Sequence, residues 1–391
     1  MQTRFHRLEN LPSYVFAEIN RLRHRARVKG LDVIDLGMGN PDGHPPEHVI
    51  EKLSETSTKL KVHGYSMSRG INGLRLAQSE YYARRFGVDV DPESEMIVTI
   101  GSKEGISALS LAITGPDDYF LVPSPAYPIH VWGPVIASGK VKTIRNLPED
   151  NYLENLKSFL ENAAIKPIAV IVNYPCNPTA EVVDLAFYEE LVDICRAYQI
   201  YVISDLAYSE IYFGDNKPPS ILQVKGAKDV AIEFTSLSKT YSMAGWRVGF
   251  AAGNKTLIAA ITKMKSYLDY GIFTPIQIAA TYAIRDCDDY IEENRKKYKE
   301  RRDVLIQGLD QAGWNVTVPD ASMFVWAKIP DKFSDLGSLA FSKLLLEKAN
   351  VVVSPGIGFG VEGDGYVRIS LVENVNRIRQ ATKNIKLLLK E

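Results

Sequence analysis

Five short, nearly unbroken apolar runs constrain this chain more than any other feature. They are Tyr119 to Pro123, Ile168 to Asn173, Ile200 to Ser204, Val230 to Thr235 and Val248 to Ala252. A strand with one wet face alternates apolar and polar residues, whereas a strand covered on both faces does not. Helical stretches separate these runs, so the pattern predicts an α/β fold built on a mostly parallel central sheet. A shorter strand is expected at Glu95 to Ile100, with helices at 13–29 (Ser13 as N-cap), Pro46 to Thr56, Gly73 to Phe86 and Ser107 to Thr114. Residues 281–312 read as one long helix or two joined ones. Beyond them lie strand-like Phe324 to Ile329, Val351 to Ser354 and Tyr366 to Leu371, a helix from Ser338 to Ala349 and a closing helix from about Val375. A chain of 391 residues suits two domains. The expected division is an N-terminal arm over 1–45, a large domain over 46–288 and a smaller α/β domain over 289–391.

Charge and cysteine usage exclude several classes of function. Lys and Arg number 46 against 47 Asp and Glu, a balance with no footprint for nucleic acid or an anionic membrane. The basic clusters at Arg21 to Arg27 and Arg295 to Arg302 suit solvated helix faces. Cys176, Cys195 and Cys287 show no paired spacing, so neither a disulfide frame nor a bound metal is expected. Free thiols, a polar basic N-terminus and the lack of any long apolar run point to a cytoplasmic protein.

Unusual polar residues stand just after the apolar runs, where open α/β sheets bind their ligands. Thr99-Ile100-Gly101-Ser102-Lys103 ends a strand in a glycine turn and starts a helix, whose free N–H groups can hold an anion. Alone, that is equally a capped helix. Asn173-Tyr174-Pro175-Cys176-Asn177-Pro178-Thr179 holds an asparagine in a loop stiffened by two prolines. Asp205 follows a buried strand and needs a cationic partner to stay ionised, or else it is half of a structural salt bridge. Lys239 sits among Ser236, Ser238 and Thr240 just past another buried strand, with Arg247 eight residues on. Desolvation and a nearby cation lower a lysine's pKa and make it a nucleophile. An amine, an anion cradle, an acid partner and amide or phenol donors are together what pyridoxal phosphate requires.

The Ser-x-Ser-Lys…Gly-Trp-Arg-x-Gly segment, the Asn-Pro-Thr loop and the Asp-x-x-Tyr segment resemble the fold-type-I aminotransferases over nearly the whole chain. The resemblance implies that Lys239 carries the pyridoxal 5′-phosphate as a Schiff base and shuttles the substrate proton. It implies that Asp205 pairs with the pyridine nitrogen, Tyr208 and Asn177 with the phenolic oxygen, and that Tyr127 stacks on the ring. Ser102 and Lys103 backbone groups, Ser236, Ser238 and Arg247 would hold the phosphate. Tyr65 would reach the phosphate of a partner subunit, which implies a homodimer with shared sites. Arg368 and the Gly39 backbone would receive the substrate α-carboxylate.

The segments Gly-Met-Gly-Asn-Pro-Asp, Gly-Ser-Lys-Glu-Gly, Ser-Pro-Gly-Ile-Gly-Phe-Gly and Ala-Ser-Met-Phe-Val-Trp look like the bacterial glutamate–pyruvate (alanine) aminotransferases. That branch is similar to the LL-diaminopimelate aminotransferases, whose substrate-contacting positions fall here on Tyr14 and Tyr270. Tyr270 stands where those enzymes carry an asparagine. No arginine lies around residues 270–274, where the dicarboxylate-specific aspartate enzymes place a clamp. The Lys103 ammonium is the candidate for the glutamate side-chain carboxylate, against an ion pair with Glu104 or a solvated charge. The expected activity is amino transfer between alanine and 2-oxoglutarate by a ping-pong mechanism. Transfer from LL-diaminopimelate, aspartate or an aromatic amino acid, and a C–S lyase on the same fold, remain alternatives.

Overall fold

The structure is a computed structural model that describes residues 5–9, 11–12 and 15–390, the side chains at 6 and 7 excepted. Ser13 and Tyr14 lie outside the described residues, so the N-cap and the substrate contact expected there are not seen.

All five apolar runs are strands of one seven-stranded sheet. In chain order the strands are β1 (Ile34–Asp35), β2 (Met96–Thr99), β3 (Tyr119–Ser124), β4 (Lys140–Arg145), β5 (Ala169–Asn173) and β6 (Tyr201–Asp205). They continue as β7 (Ala231–Ser236), β8 (Gly249–Gly253), β9 (Phe324–Lys328), β10 (Val351–Val352), β11 (Ser354–Pro355) and β12 (Tyr366–Ser370). The large sheet has the order β2-β8-β7-β6-β5-β3-β4. Its pairs β3–β4, β3–β5, β5–β6 and β6–β7 are parallel. Strand β8 runs antiparallel to both β7 and β2. An apolar run reports burial on both faces but not direction. Between β7 and β8 the chain makes only the single-turn helices Leu237–Thr240 and Ala244–Trp246, with no crossover helix to carry it back to the start of the sheet.

Successive residues of the strands feed opposite cores. Val170, Val172 and Val202 pack on one face with Leu121 and Phe250, while Ile171 and Ile203 pack on the other with Phe120 and Phe234. The edge strand β4 escapes the apolar pattern because it reads Lys-Val-Lys-Thr-Ile-Arg and buries only Ile144 fully. A separate core gathers Phe324, Val325, Leu345, Ile369, Ile378 and Ile385 with Ile34 and Leu36 of the N-terminal segment.

Two expected elements divide. The 281–312 stretch is two helices, Thr274–Asp286 and Asp288–Gln311, broken at Cys287. The Val351–Ser354 stretch is two short strands. β10 pairs parallel with β1, and β11 pairs antiparallel with β12. Among the described residues no helix is long and apolar enough to cross a membrane.

Candidate active site

The carboxyl ends of the parallel strands converge on one cavity of about 550 Å³. Register places Asp205, the last residue of β6, beside Asn173 of β5 and Phe234 of β7. Ser102, Lys103, Tyr127, Asn177, Asp205, Tyr208, Ser236, Ser238, Lys239, Arg247, Gly39 and Arg368 all line this cavity. The chain therefore brings together twelve side chains or backbone positions singled out from sequence, drawn from segments more than 300 residues apart.

Lys239 is mostly buried, and its Nζ donates to the Gly39 carbonyl at 2.7 Å. Burial, then the charges of Arg368 and Arg247, bring its pKa down to about 8. The amine is thus partly unprotonated near neutral pH, as a nucleophile or base must be. The Asn294 amide braces the Lys239 backbone carbonyl from the Asp288–Gln311 helix.

Asp205 is 4% exposed. Its Oδ2 lies 2.9 Å from His130 Nε2, while its Oδ1 is buried with no hydrogen-bond partner. A desolvated carboxylate oxygen without a donor is costly unless a ligand completes it. A protonated ring nitrogen is such a ligand. His130 was not singled out from sequence. The signal was present: Tyr127 is the N-cap of the Pro128–Ile136 helix and His130 lies three residues on, toward the same site. Their rings meet edge to face with centroids 5.7 Å apart.

Asn177 bridges Tyr208 and Arg368. Its amide nitrogen lies 3.4 Å from the Tyr208 hydroxyl, and its Oδ1 accepts from Arg368 Nη1 at 2.7 Å. Burial raises the Tyr208 pKa, so the phenol keeps its proton and can donate it in a hydrogen bond. The Arg368 Nη2 also donates to the Gly37 carbonyl at 3.0 Å. Its guanidinium is sandwiched near the rings of Phe324 and Phe359, 4.1 and 4.7 Å away. These two aromatics, also missed from sequence, fix the plane of the fork.

The helix Ser102–Ile113 starts at Gly101, whose φ is +79°. A Cβ there would lie 2.3 Å from Arg247 Nη2, so the absent side chain is what lets the guanidinium lie against the helix start. Arg247 is anchored by the carbonyls of Ala244 and Ile100. Ser236 Oγ and Ser238 Oγ are 2.9 Å apart beside it. Backbone N–H groups, two hydroxyls and an arginine make a cradle for a dianion. The whole constellation fits pyridoxal phosphate: an amine, a waiting carboxylate oxygen, a phenol with an amide, and a phosphate shelf. Among the described residues no cluster of His, Cys, Asp or Glu could hold a metal.

Tyr14 is outside the described residues, and two further expected residues do not line this cavity. Tyr65 and Tyr270 stand on the surface, 87% and 62% exposed, with their rings stacked 4.5 Å apart. Lys103 is exposed at the cavity wall and makes no ion pair among the described residues. Glu104 pairs with Lys265 instead, so the Lys103–Glu104 alternative does not form.

The sequence model of the family described as aminotransferase class I and II matches residues 31–385. The glutamate-pyruvate aminotransferase AlaC of Escherichia coli (strain K12) is 49% identical over 389 residues, covering 100% of this chain and 94% of its own. The LL-diaminopimelate aminotransferase of Natranaerobius thermophilus is 43% identical over 380 residues, covering 97% and 98%. The apo structure of BacF from Bacillus subtilis matches with a TM-score of 0.93 at 35% identity, over 99% of this chain and 98% of that one.

Proposed function

Because the chain belongs to the class I and II aminotransferases, which are pyridoxal 5′-phosphate transaminases, we propose that it transfers an amino group reversibly between L-alanine and 2-oxoglutarate. In a ping-pong cycle alanine leaves as pyruvate, and 2-oxoglutarate then takes the retained amino group to become glutamate. The observation that carries this reading is the distribution of cations around the cavity. Arg247 belongs to the phosphate shelf, Arg368 to the α-carboxylate, and Arg23 is tied to Asp35. With Lys239 assigned to the cofactor, that leaves Lys103 among the described residues for the side-chain carboxylate of glutamate, and alanine asks for no such contact. The 49% identity to a glutamate-pyruvate enzyme over the full chain supports the same pair.

When bound, the cofactor supplies a protonated ring that withdraws electrons from the substrate Cα. Asp205 Oδ1 would hold the proton on the ring nitrogen, with His130 fixing that carboxylate. Lys239 Nζ would accept the proton from the substrate Cα and deliver it to the cofactor carbon that bonds the amino nitrogen. Tyr208 and Asn177 orient the ring through its phenolic oxygen, and the Arg368 fork sets the Cα–H bond toward the lysine.

We also read the protein as a homodimer with shared sites. Leu60, Tyr65, Met67, Tyr267 and Tyr270 are all exposed, the kind of surface a second copy covers. The stacked Tyr65 is then presented to the partner's phosphate. An apolar core distinct from the two that flank the large sheet draws most of its residues from 289–391, and it supports reading an arm over 1–45, a large domain over 46–288 and a small one over 289–391. Three free, buried cysteines suit a reducing, cytoplasmic setting.

A second reading, LL-diaminopimelate as the donor, is favoured by the 43% identity to such an enzyme over 97% of the chain. One experiment separates them. The cofactor-loaded protein is mixed in turn with alanine, glutamate, aspartate, LL-diaminopimelate and tyrosine, and the spectrum is followed from the pyridoxal to the pyridoxamine form. Fast conversion by alanine and glutamate alone supports the proposal. Fast conversion by diaminopimelate and glutamate, with alanine inert, overturns it in favour of the second reading.

A further inference from the structure

Lys265 is fully buried, with none of its side chain exposed to solvent. It lies on the Lys255–Leu268 helix, outside the cavity lining. Its Nζ contacts two carboxylates, Glu104 Oε1 at 2.9 Å and Asp269 Oδ2 at 2.8 Å. A lysine buried this completely is retained only where its charge is matched.

The two carboxylates have different surroundings. Glu104 is in the first turn of the Ser102–Ile113 helix, and its Oε2 accepts from the Ile100 N–H at 2.8 Å. It therefore ties off the strand-to-helix turn that carries Ser102, Lys103 and the Arg247 contact. Yet Glu104 also puts a negative charge under a shelf that has to receive a phosphate dianion. Asp269 is the anchor on the other side. Its Oδ1 accepts from the Gly271 N–H at 2.6 Å, and its backbone carbonyl accepts from Ser68 Oγ at 2.6 Å. Held from that side, the lysine cannot swing away from Glu104.

We propose that Lys265 is a positioning residue for the phosphate shelf, neutralising Glu104 so that this carboxylate can fix the turn without repelling the phosphate. The proposal rests on the reading that the cofactor phosphate binds at the start of the Ser102–Ile113 helix. Its signature is selective, because only the phosphorylated cofactor feels the balance of charge. An effect on folding alone would weaken pyridoxal 5′-phosphate and unphosphorylated pyridoxal alike.

The test titrates the cofactor-free protein with each compound and takes the ratio of the two dissociation constants. Lys265→Met lowers the preference for the phosphorylated form by about tenfold, the order of one uncompensated charge near the shelf. Glu104→Gln keeps an oxygen for the Ile100 N–H and removes the charge, so the preference rises. The double variant returns close to the wild-type ratio. Glu104→Gln leaves Asp269 to match the buried ammonium, so it decides the matter even where Lys265→Met does not fold. Equal losses for both compounds in Lys265→Met, or an unchanged ratio in Glu104→Gln, would overturn the proposal. Arg247→Met serves as the control for the underlying reading. A preserved ratio in that variant removes the phosphate from this shelf altogether, whereas a collapsed ratio with a neutral Glu104→Gln removes only the role of Lys265.

Discussion

The cofactor-free protein should become more stable when Lys239, the lysine proposed to carry the cofactor, is replaced by methionine. Lys239 is mostly buried with its ammonium facing the charges of Arg368 and Arg247, and its pKa is brought from 10.5 down to about 8. That drop corresponds to a penalty of about 3 kcal/mol on the charged form. At pH 7 the lysine is mostly protonated in the folded chain and fully so in the unfolded one, so the folded state carries nearly the full penalty. Methionine has a similar length and no charge. Its cost is the lost donor to the Gly39 carbonyl, worth about 1 kcal/mol. Lys239→Met should therefore stabilise the cofactor-free fold by about 2 kcal/mol at pH 7 while abolishing turnover. The pH dependence has a definite sign. The unfolded chain binds more protons than the folded one between pH 8 and 10.5, so wild-type stability rises relative to the variant across that window. Urea unfolding of both proteins at equal protomer concentration, at pH 7, 8.5 and 10, measures this. A variant no more stable than wild type at pH 7, or an advantage that does not shrink toward pH 10, would refute the reasoning.

Other substitutions probe the remaining parts of the site. Asp205→Ala should retain the cofactor absorbance while lowering kcat by about three orders of magnitude, and a loss of only a few-fold would contradict the pairing with the ring nitrogen. Arg368→Lys replaces a fork that reaches Asn177 Oδ1 and the Gly37 carbonyl with a single ammonium. Steady-state kinetics should show KM for both amino acids rising by about a hundredfold, with kcat changed much less. Gly101→Ala puts a Cβ 2.3 Å from Arg247 Nη2 at a φ of +79°, and cofactor titration should show affinity weaker by about tenfold. Lys103→Ala should raise KM for glutamate far more than for alanine, and equal effects on both would sink its role at the side-chain carboxylate.

Most of the site was legible because its residues stand at strand ends, and strand ends can be read from where apolar runs stop. Asn173, Asp205 and Ser236 are the last residues of β5, β6 and β7. The family resemblance then supplied roles that spacing alone left open, such as the phosphate and ring contacts. His130, Phe324 and Phe359 were not read, because a lone histidine in an apolar helix and buried phenylalanines look the same whether or not they touch a site. The paired prolines around Asn177 announced a stiff loop, but not that its amide would join Tyr208 to Arg368.

Burial on both faces, the helix–strand alternation, and the order of amine, acid and asparagine along the chain follow from local composition, since periodicity and turn chemistry act over a few residues. Direction and partnership do not. The reversal of β8, the division of the 351–355 stretch between two sheets, and the capture of Glu104 by Lys265 rather than by its neighbour Lys103 depend on contacts between distant segments. Glu104 and Lys265 lie 161 positions apart, and only folding reveals that a fully buried ammonium is waiting there. A charge in the interior takes the partner that desolvation and geometry allow, which need not be the nearest one along the chain.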